Sequence, residues 1–282
     1  MKKYLVILFS VLIFSTSSAD TSKLKDNFFS SIENFLDGNF KDTDFSIKSK
    51  EGNKPEIGIL TFKPLNDTDN GLTFFQGSFF THDGDRETLN LGFGKRILSD
   101  DESFLFGLNA FYDHELDYDH QRASIGIEIK SSILELNTNH YFAISNEVTG
   151  KNGVKETVAD GYDLEIGAHI PYIPTAKFYT KYFEYEIPGG SDFEGLEYSS
   201  RIGIPNTGMN IETGFIDYGN NGYEDQWFFK LTYNLSKMNA DKSFISDEAF
   251  ERVSMKDKKY DKVRRENIIV KSKAFAVKAG GF

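Results

Sequence analysis

Four carboxylates and two imidazoles crowd into Asp113-His114-Glu115-Leu116-Asp117-Tyr118-Asp119-His120. Oxygen and imidazole ligands of this kind can hold Ca2+ or Zn2+. Neither helical nor loop ligand spacing is clear here, so the stretch reads first as a polar outer loop. The run Asp67-Thr68-Asp69-Asn70-Gly71 opens like a calcium loop but lacks the glutamate that such a loop needs at its twelfth position. The chain has no Gly-x-Ser-x-Gly elbow, His-Glu-x-x-His pair or phosphate loop. A hydrolase would need Ser, His and Asp or Glu converging on one site, and nothing in the order of the five histidines points to that. The expectation is a protein with no catalytic residue, no cofactor and no metal ligand.

The elements that carry these residues are strands. From Phe45 onward apolar residues alternate with polar or small ones, the period of a two-faced ribbon. Leu89, Leu91 and Phe93 oppose Asn90, Gly92, Gly94 and Arg96, and Phe106, Leu108 and Tyr112 oppose Gly107, Asn109 and Phe111. Ile125, Ile127 and Ile129 oppose Arg122, Gly126 and Glu128, and Leu164 and Ile166 oppose Asp163, Glu165 and Gly167. The pattern predicts about twelve strands near 44–51, 55–62, 72–81, 87–97, 103–113, 121–130, 133–145, 161–170, 175–186, 195–204, 208–217 and 225–236. Most are roughly 10 residues, the length a tilted strand needs to cross a bilayer. From the fourth strand on, short connections such as 131–132 and 171–174 alternate with longer ones such as 145–160, as in outer-membrane barrels. The connection 63–71 breaks that rule.

Met1–Ala19 has two lysines, an apolar run and a Ser-Ser-Ala ending, the form of a secretory signal peptide. Residues 24–36 space Leu24, Phe28, Ile32 and Phe35 as a short amphipathic helix would. With 27 Phe, 14 Tyr and no cysteine, the exported chain suits a β protein held by neither disulfides nor thiolate metals. Its net charge is −11. Residues 237–282 hold 12 Lys+Arg against 7 Asp+Glu, a net of +5, and the leader holds +2, which leaves −18 for residues 20–236. So acidic a body excludes nucleic acid as a partner.

Two surroundings fit such ribbons: a soluble periplasmic β protein binding a ligand, with its apolar face inward, or a membrane barrel with its apolar face outward. Glycines beside long charged residues on the polar face suit a curved wall around a lumen. Tyr112, Tyr162, Tyr182, Tyr198 and Tyr218, near strand ends, suit interfacial girdles. The fold expected is therefore all-β: a transmembrane antiparallel barrel lined by Glu128, Glu135, Asp163, Glu165, Glu197, Arg201, Glu212 and Lys230. Parity then predicts that Leu91→Arg harms assembly whereas Asn90→Arg, facing inward, is tolerated.

Several motifs in order resemble the translocator barrel of intimin/invasin inverse autotransporters. They are Phe75-Gln76, Asp85-Arg86, Asn90-Leu91-Gly92-Phe93-Gly94, Gly107-Leu108-Asn109-Ala110-Phe111-Tyr112-Asp113, His120 with Arg122 and Gly126, Gly161-Tyr162-Asp163-Leu164, and Arg264-Arg265-Glu266-Asn267-Ile268. The resemblance covers about residues 40–273. It implies a periplasmic segment over 20–43, a barrel over 44–236, and a tail over 237–282 that turns back through the pore as helix and linker. Outer-membrane lipid, periplasmic chaperones and the barrel-assembly machinery are the partners it implies. The family's immunoglobulin-like passenger needs roughly 100 residues, more than follow Ser236, so host-cell binding is not expected here. Within the tail, Ser246 as N-cap, early acids and later bases predict a helix over 246–263. A basic tail in an acidic lumen predicts a plug; an open, porin-like channel is the alternative.

Overall fold

The computed structural model describes residues 42–187, 191–219, 223–235 and 243–272. The expected leader and the helix over 24–36 lie outside these residues. Twelve strands close into one antiparallel barrel. They are β1 (Asp42–Lys50), β2 (Glu56–Thr68), β3 (Gly71–His82), β4 (Arg86–Leu98), β5 (Phe104–Glu115), β6 (His120–Ser131), β7 (Leu134–Ala143), β10 (Asp160–Ile170), β11 (Ile173–Glu186), β12 (Phe193–Gly203), β13 (Met209–Asp217) and β14 (Gln226–Asn234). Two-residue strands β8 (Val148–Thr149) and β9 (Lys155–Glu156) pair with each other in the β7–β10 connection. The ring is shut by β1 against β14, in register from Asp44↔Asn234 to Lys50↔Phe228.

The faces are inverted relative to a soluble sandwich. Phe93, Leu108, Ile125, Ile166 and Trp227 stand more than half exposed on the outer wall. Their neighbours in the chain, Gly92, Asn109, Ser124, Glu165 and Phe228, are buried inside. An outer surface of this kind is stable only in hydrocarbon, because contiguous apolar area that large is not left facing water.

Connections sort by end. Turns of two residues, 69–70, 132–133 and 171–172, and of five, 99–103 and 204–208, share one end with the start of β1 and the finish of β14. The opposite end carries 51–55, 83–85, 116–119, 144–159, 187–192 and 218–225. The irregular 63–71 connection disappears: β2 continues to Thr68 across a register shift between Pro64 and Asn66, and only Asp69-Asn70 turns. Proline lacks an N–H for the ladder, so a strand accommodates it at a bulge, which disguises the strand in sequence.

Two further expectations are corrected. The helix over 246–263 shrinks to a 3-10 segment, Met255–Tyr260, capped by Ser254, whose hydroxyl accepts from the Lys256 N–H. Upstream, backbone groups bond to barrel turns instead of to each other: Ser246 N–H to the Tyr172 carbonyl, Tyr172 N–H to that of Ala249, and Met255 N–H to that of Glu102. Those bonds take the partners a helix would need. Tyr218, read as a girdle residue, is 7% exposed and packs inside with Phe183, Phe193 and Phe228.

Candidate functional site

Alternation places Asn90, Gly92, Gly107, Asn109, Phe111, Asp113, His120, Arg122, Gly161 and Asp163 on buried inward positions, and Gly94 on the same face. Tyr112 and Tyr162 point outward at 37% exposure each. The acids Glu128, Glu135, Glu165, Glu197 and Glu212 are all buried inside, and Arg201 and Lys230 line an interior cavity. The inward glycines make room for rings laid flat on the wall. A Cβ on Gly92 would come within 2.2 Å of the Phe111 ring, and one on Gly94 within 2.3 Å of Phe74.

Asp113 is the centre of the best-connected group. Its Oδ1 accepts from Asn90 (2.7 Å) and Arg265 (2.8 Å); its Oδ2 accepts from Arg122 (2.8 Å) and Arg265 (2.6 Å). All four side chains are largely or wholly buried. Arg265 sits 4.3 Å over the Phe111 ring and Arg122 4.3 Å over Tyr141. Bidentate guanidinium contacts satisfy the lone pairs that a buried carboxylate must not leave empty. Arg122 also donates to the Glu266 carbonyl (2.7 Å) and Asn90 to the Asn267 carbonyl (2.9 Å). Asn90 is fully buried in this group and also bonds Ser78, which corrects the expectation that arginine fits there. The Tyr141 hydroxyl donates to Asp163 (2.6 Å) and accepts from the Glu266 N–H (2.7 Å).

Similar contacts recur on either side. Toward the short-turn end, Arg96 pairs with Glu128 (2.9 Å) and donates to the Lys259 and Asp261 carbonyls (2.7 and 2.6 Å), while Lys259 reaches Asp67 (2.9 Å). Val263 N–H donates to Gln76 (2.8 Å). Arg264 stacks on Tyr179 and pairs with Glu165 (2.5 Å) and Glu212 (3.0 Å). Toward the long-loop end, Lys271 pairs with Glu115, and Val158 forms an antiparallel bridge with Lys271.

The octapeptide at 113–120 is mostly wall, not loop. Asp113 and Glu115 end β5, His120 begins β6, and only 116–119 turns. In that turn, hydrogen bonds from Gln121 and His114 hold the Asp119 carboxyl below its usual range. Ligand atoms of Glu115, His120 and Glu156 lie within 4.8 Å of one another. However, Arg86 reaches both carboxylates (2.6 and 2.7 Å) and Lys271 reaches Glu115. Two cations already balance two carboxylates, so the chemistry here is ion pairing. The sequence reading marks neither Tyr141 nor Glu156. Tyr141 shares a face with Asn137 and Asn139, so parity alone could have found it; Glu156 lies in a connection with no periodicity to read.

Residues 15–267 match the family model for the inverse autotransporter beta-domain. A putative attaching and effacing protein homolog of Escherichia coli K12 is 29% identical over 52% of this chain and 48% of its own length. Invasin of Yersinia enterocolitica is 25% identical over 58% of this chain and 21% of its own. Inverse autotransporter adhesin YeeJ of Escherichia coli K12 is 26% identical over 81% of this chain and 10% of its own. The chain thus spans about half the length of the first of these relatives and far less of the others. A solved structure from work on the in-meso crystallisation of membrane proteins superposes with a TM-score of 0.66 at 21% identity, covering 82% of this chain and 99% of that one. With a matching family model over most of its length and a closed twelve-stranded wall greasy on the outside, the chain belongs to the inverse autotransporter beta-domain family and is an outer-membrane barrel of that kind.

Proposed function

We propose that the barrel anchors in the outer membrane and carries its own C-terminal segment through the lumen, so that chain beyond Ser272 is presented at the cell surface. The observation that supports this most is the ladder of contacts from Ser246 to Ser272. It begins on the Tyr172 turn, passes Arg96, Asp113 and Tyr141, and finishes with Ser272 N–H donating to the Thr157 carbonyl in the longest connection. Short turns face the periplasm in barrels of this class and long loops face outward, so the ladder runs from inside to outside. Residues 261–272 in extended form reach ~36–40 Å, more than the ~25 Å apolar band of such barrels.

Electrostatics favour the same reading. A +5 tail against a −18 body is attracted into a confined, partly dewatered space where Coulomb terms are strong. The barrel's role is anchorage and export, with no reaction assigned; lipid, periplasmic chaperones and the assembly machinery are its proposed partners. Attachment and invasion are named for relatives that are longer than the matched part, and they do not define this segment's role.

The test is protease shaving of intact cells that carry a C-terminal tag. Loss of the tag with the barrel intact supports surface presentation. A tag cut only after the outer membrane is permeabilised overturns it. A porin-like channel is the second reading, supported by the unfilled part of the lumen. It requires large steady conductance from the full-length chain, whereas a plugged barrel conducts strongly only after residues 237–282 are deleted.

A further inference from the structure

Tail contacts are densest on one side of the interior. Beside the tail, between it and the wall of β1, β2 and β10–β14, lies a cavity of about 470 Å3. Its lining runs from Thr175 and Asn210, near the short-turn end, to Glu56 and Phe228, near the long-loop end. One level of its wall is basic. The register pairs Arg201 with Glu212, Glu212 with Lys230 and Lys230 with Lys48. Glu212 is engaged by Arg264 and Ser199. Among the described residues, no carboxylate oxygen lies within ion-pair distance of Arg201, Lys230 or Lys48. A polar chamber of this size takes water. Its lining carries ten basic and nine acidic side chains, but seven of those acids are ion-paired, so the field at the level of Lys48, Arg201 and Lys230 favours anions.

Toward the long-loop end the same side of the barrel changes character. Phe183, Tyr185, Phe193, Tyr218 and Phe228 are all buried on the inward face, in one cluster with Tyr141 and the tail's Val270, and Tyr223 packs on it from the β13–β14 connection. Phe193 sits 5.4 Å from Phe183, 5.2 Å from Tyr218 and 5.0 Å from Tyr223, ring centre to ring centre. Gly161, Gly195 and Gly214 give the rings of Tyr185, Phe183 and Phe228 room against the wall. Inward aromatics are unexpected where a barrel encloses water, and packed rings close a pore by excluding it.

We infer that the lumen holds a second path, parallel to the tail: a chamber with one basic level that admits small anions and is closed at the long-loop end by the aromatic rings of the wall, against which the tail's Val270 packs. Its closure does not depend on where the tail ends, so the two ideas fail separately.

The test locks the tail and opens the rings. The chain has no native cysteine, and Val158 and Lys271 form an antiparallel bridge, a geometry within disulfide reach. A Val158→Cys/Lys271→Cys protein is oxidised and placed in a planar bilayer, with and without Phe193→Ala/Tyr218→Ala. The expected result is a several-fold rise in conductance on removing the rings while the tail stays locked, with an anion-side reversal potential in a salt gradient. Adding Arg201→Glu/Lys230→Glu shifts that potential toward the cation side. Opening seen only after the disulfide is reduced places the path where the tail sits and overturns the inference. No opening in either redox state makes the chamber blind and overturns it as well. Folding is checked by heat-modifiable gel mobility, and if the double ring variant does not assemble, Phe193→Ala alone is read by the same criteria.

Discussion

At Asp113 one buried carboxylate meets two buried guanidiniums and an amide. Removing the carboxylate leaves two cations facing each other in a dry site, whereas removing Arg265 still leaves Arg122 to balance Asp113. Asp113→Ala is therefore expected to cost about 3–5 kcal/mol of unfolding free energy, and Arg265→Ala less. Urea unfolding followed by gel mobility measures both; equal stability of Asp113→Ala and the parent would show that the network contributes nothing. Tyr141→Phe isolates a single hydroxyl. Its loss strips a donor from Asp163 and an acceptor from the Glu266 N–H, an expected penalty of about 1–3 kcal/mol. Protease sensitivity of the tail should rise in the same variant, because Glu266 belongs to it.

Among the strands, parity decides the outcome. Leu91→Arg puts a charge on the outer wall, at ~2–4 kcal/mol near the midplane. Thr232→Arg points into the chamber and is expected to assemble normally, as judged by the folded fraction in outer-membrane preparations. At the β4–β5 turn, hydrogen bonds from Ser99 and Ser103 lower the Asp101 carboxyl to about 2. A depressed folded value contributes stability above the unfolded pKa, lost as pH falls toward 2; NMR titration of that carboxyl checks it. These strands were legible in sequence because a period of 2 survives any side chain that keeps to its face. Leu91, Leu108 and Ile127 announce the outer wall in this way. The extension of β2 was hidden by Pro64, and the helix expected at Ser246 was lost to backbone bonds from turns far away in sequence. Tyr218 misled for a related reason: an aromatic at a strand end reads as a girdle whichever way it faces. What fills the lumen depends on contacts such as Arg265 with Asp113, 152 residues apart, and no local pattern encodes them.

For the molecule as a whole, charge separates along the chain and recombines in space. The acidic wall collects the basic tail, so deleting residues 237–282 should leave carboxylates such as Glu165 and Glu212, both paired with Arg264, facing water and make the emptied pore cation-selective, the reverse of the preference inferred for the chamber. Reversal potentials of the truncated chain and of the tail-locked variant with its rings removed test that contrast. The seam between β1 and β14 has a consequence for assembly. Asp44 and Asn234 are partners across 190 positions, so the hoop cannot shut until its last stave has been made. Loop closure over that span is slow relative to each hairpin between neighbours. Until it happens the wall is an open curl with two raw edges, and the trailing segment can enter sideways. Threading a finished tube would then be unnecessary, because the tube is completed around a strand of chain already lying in its trough.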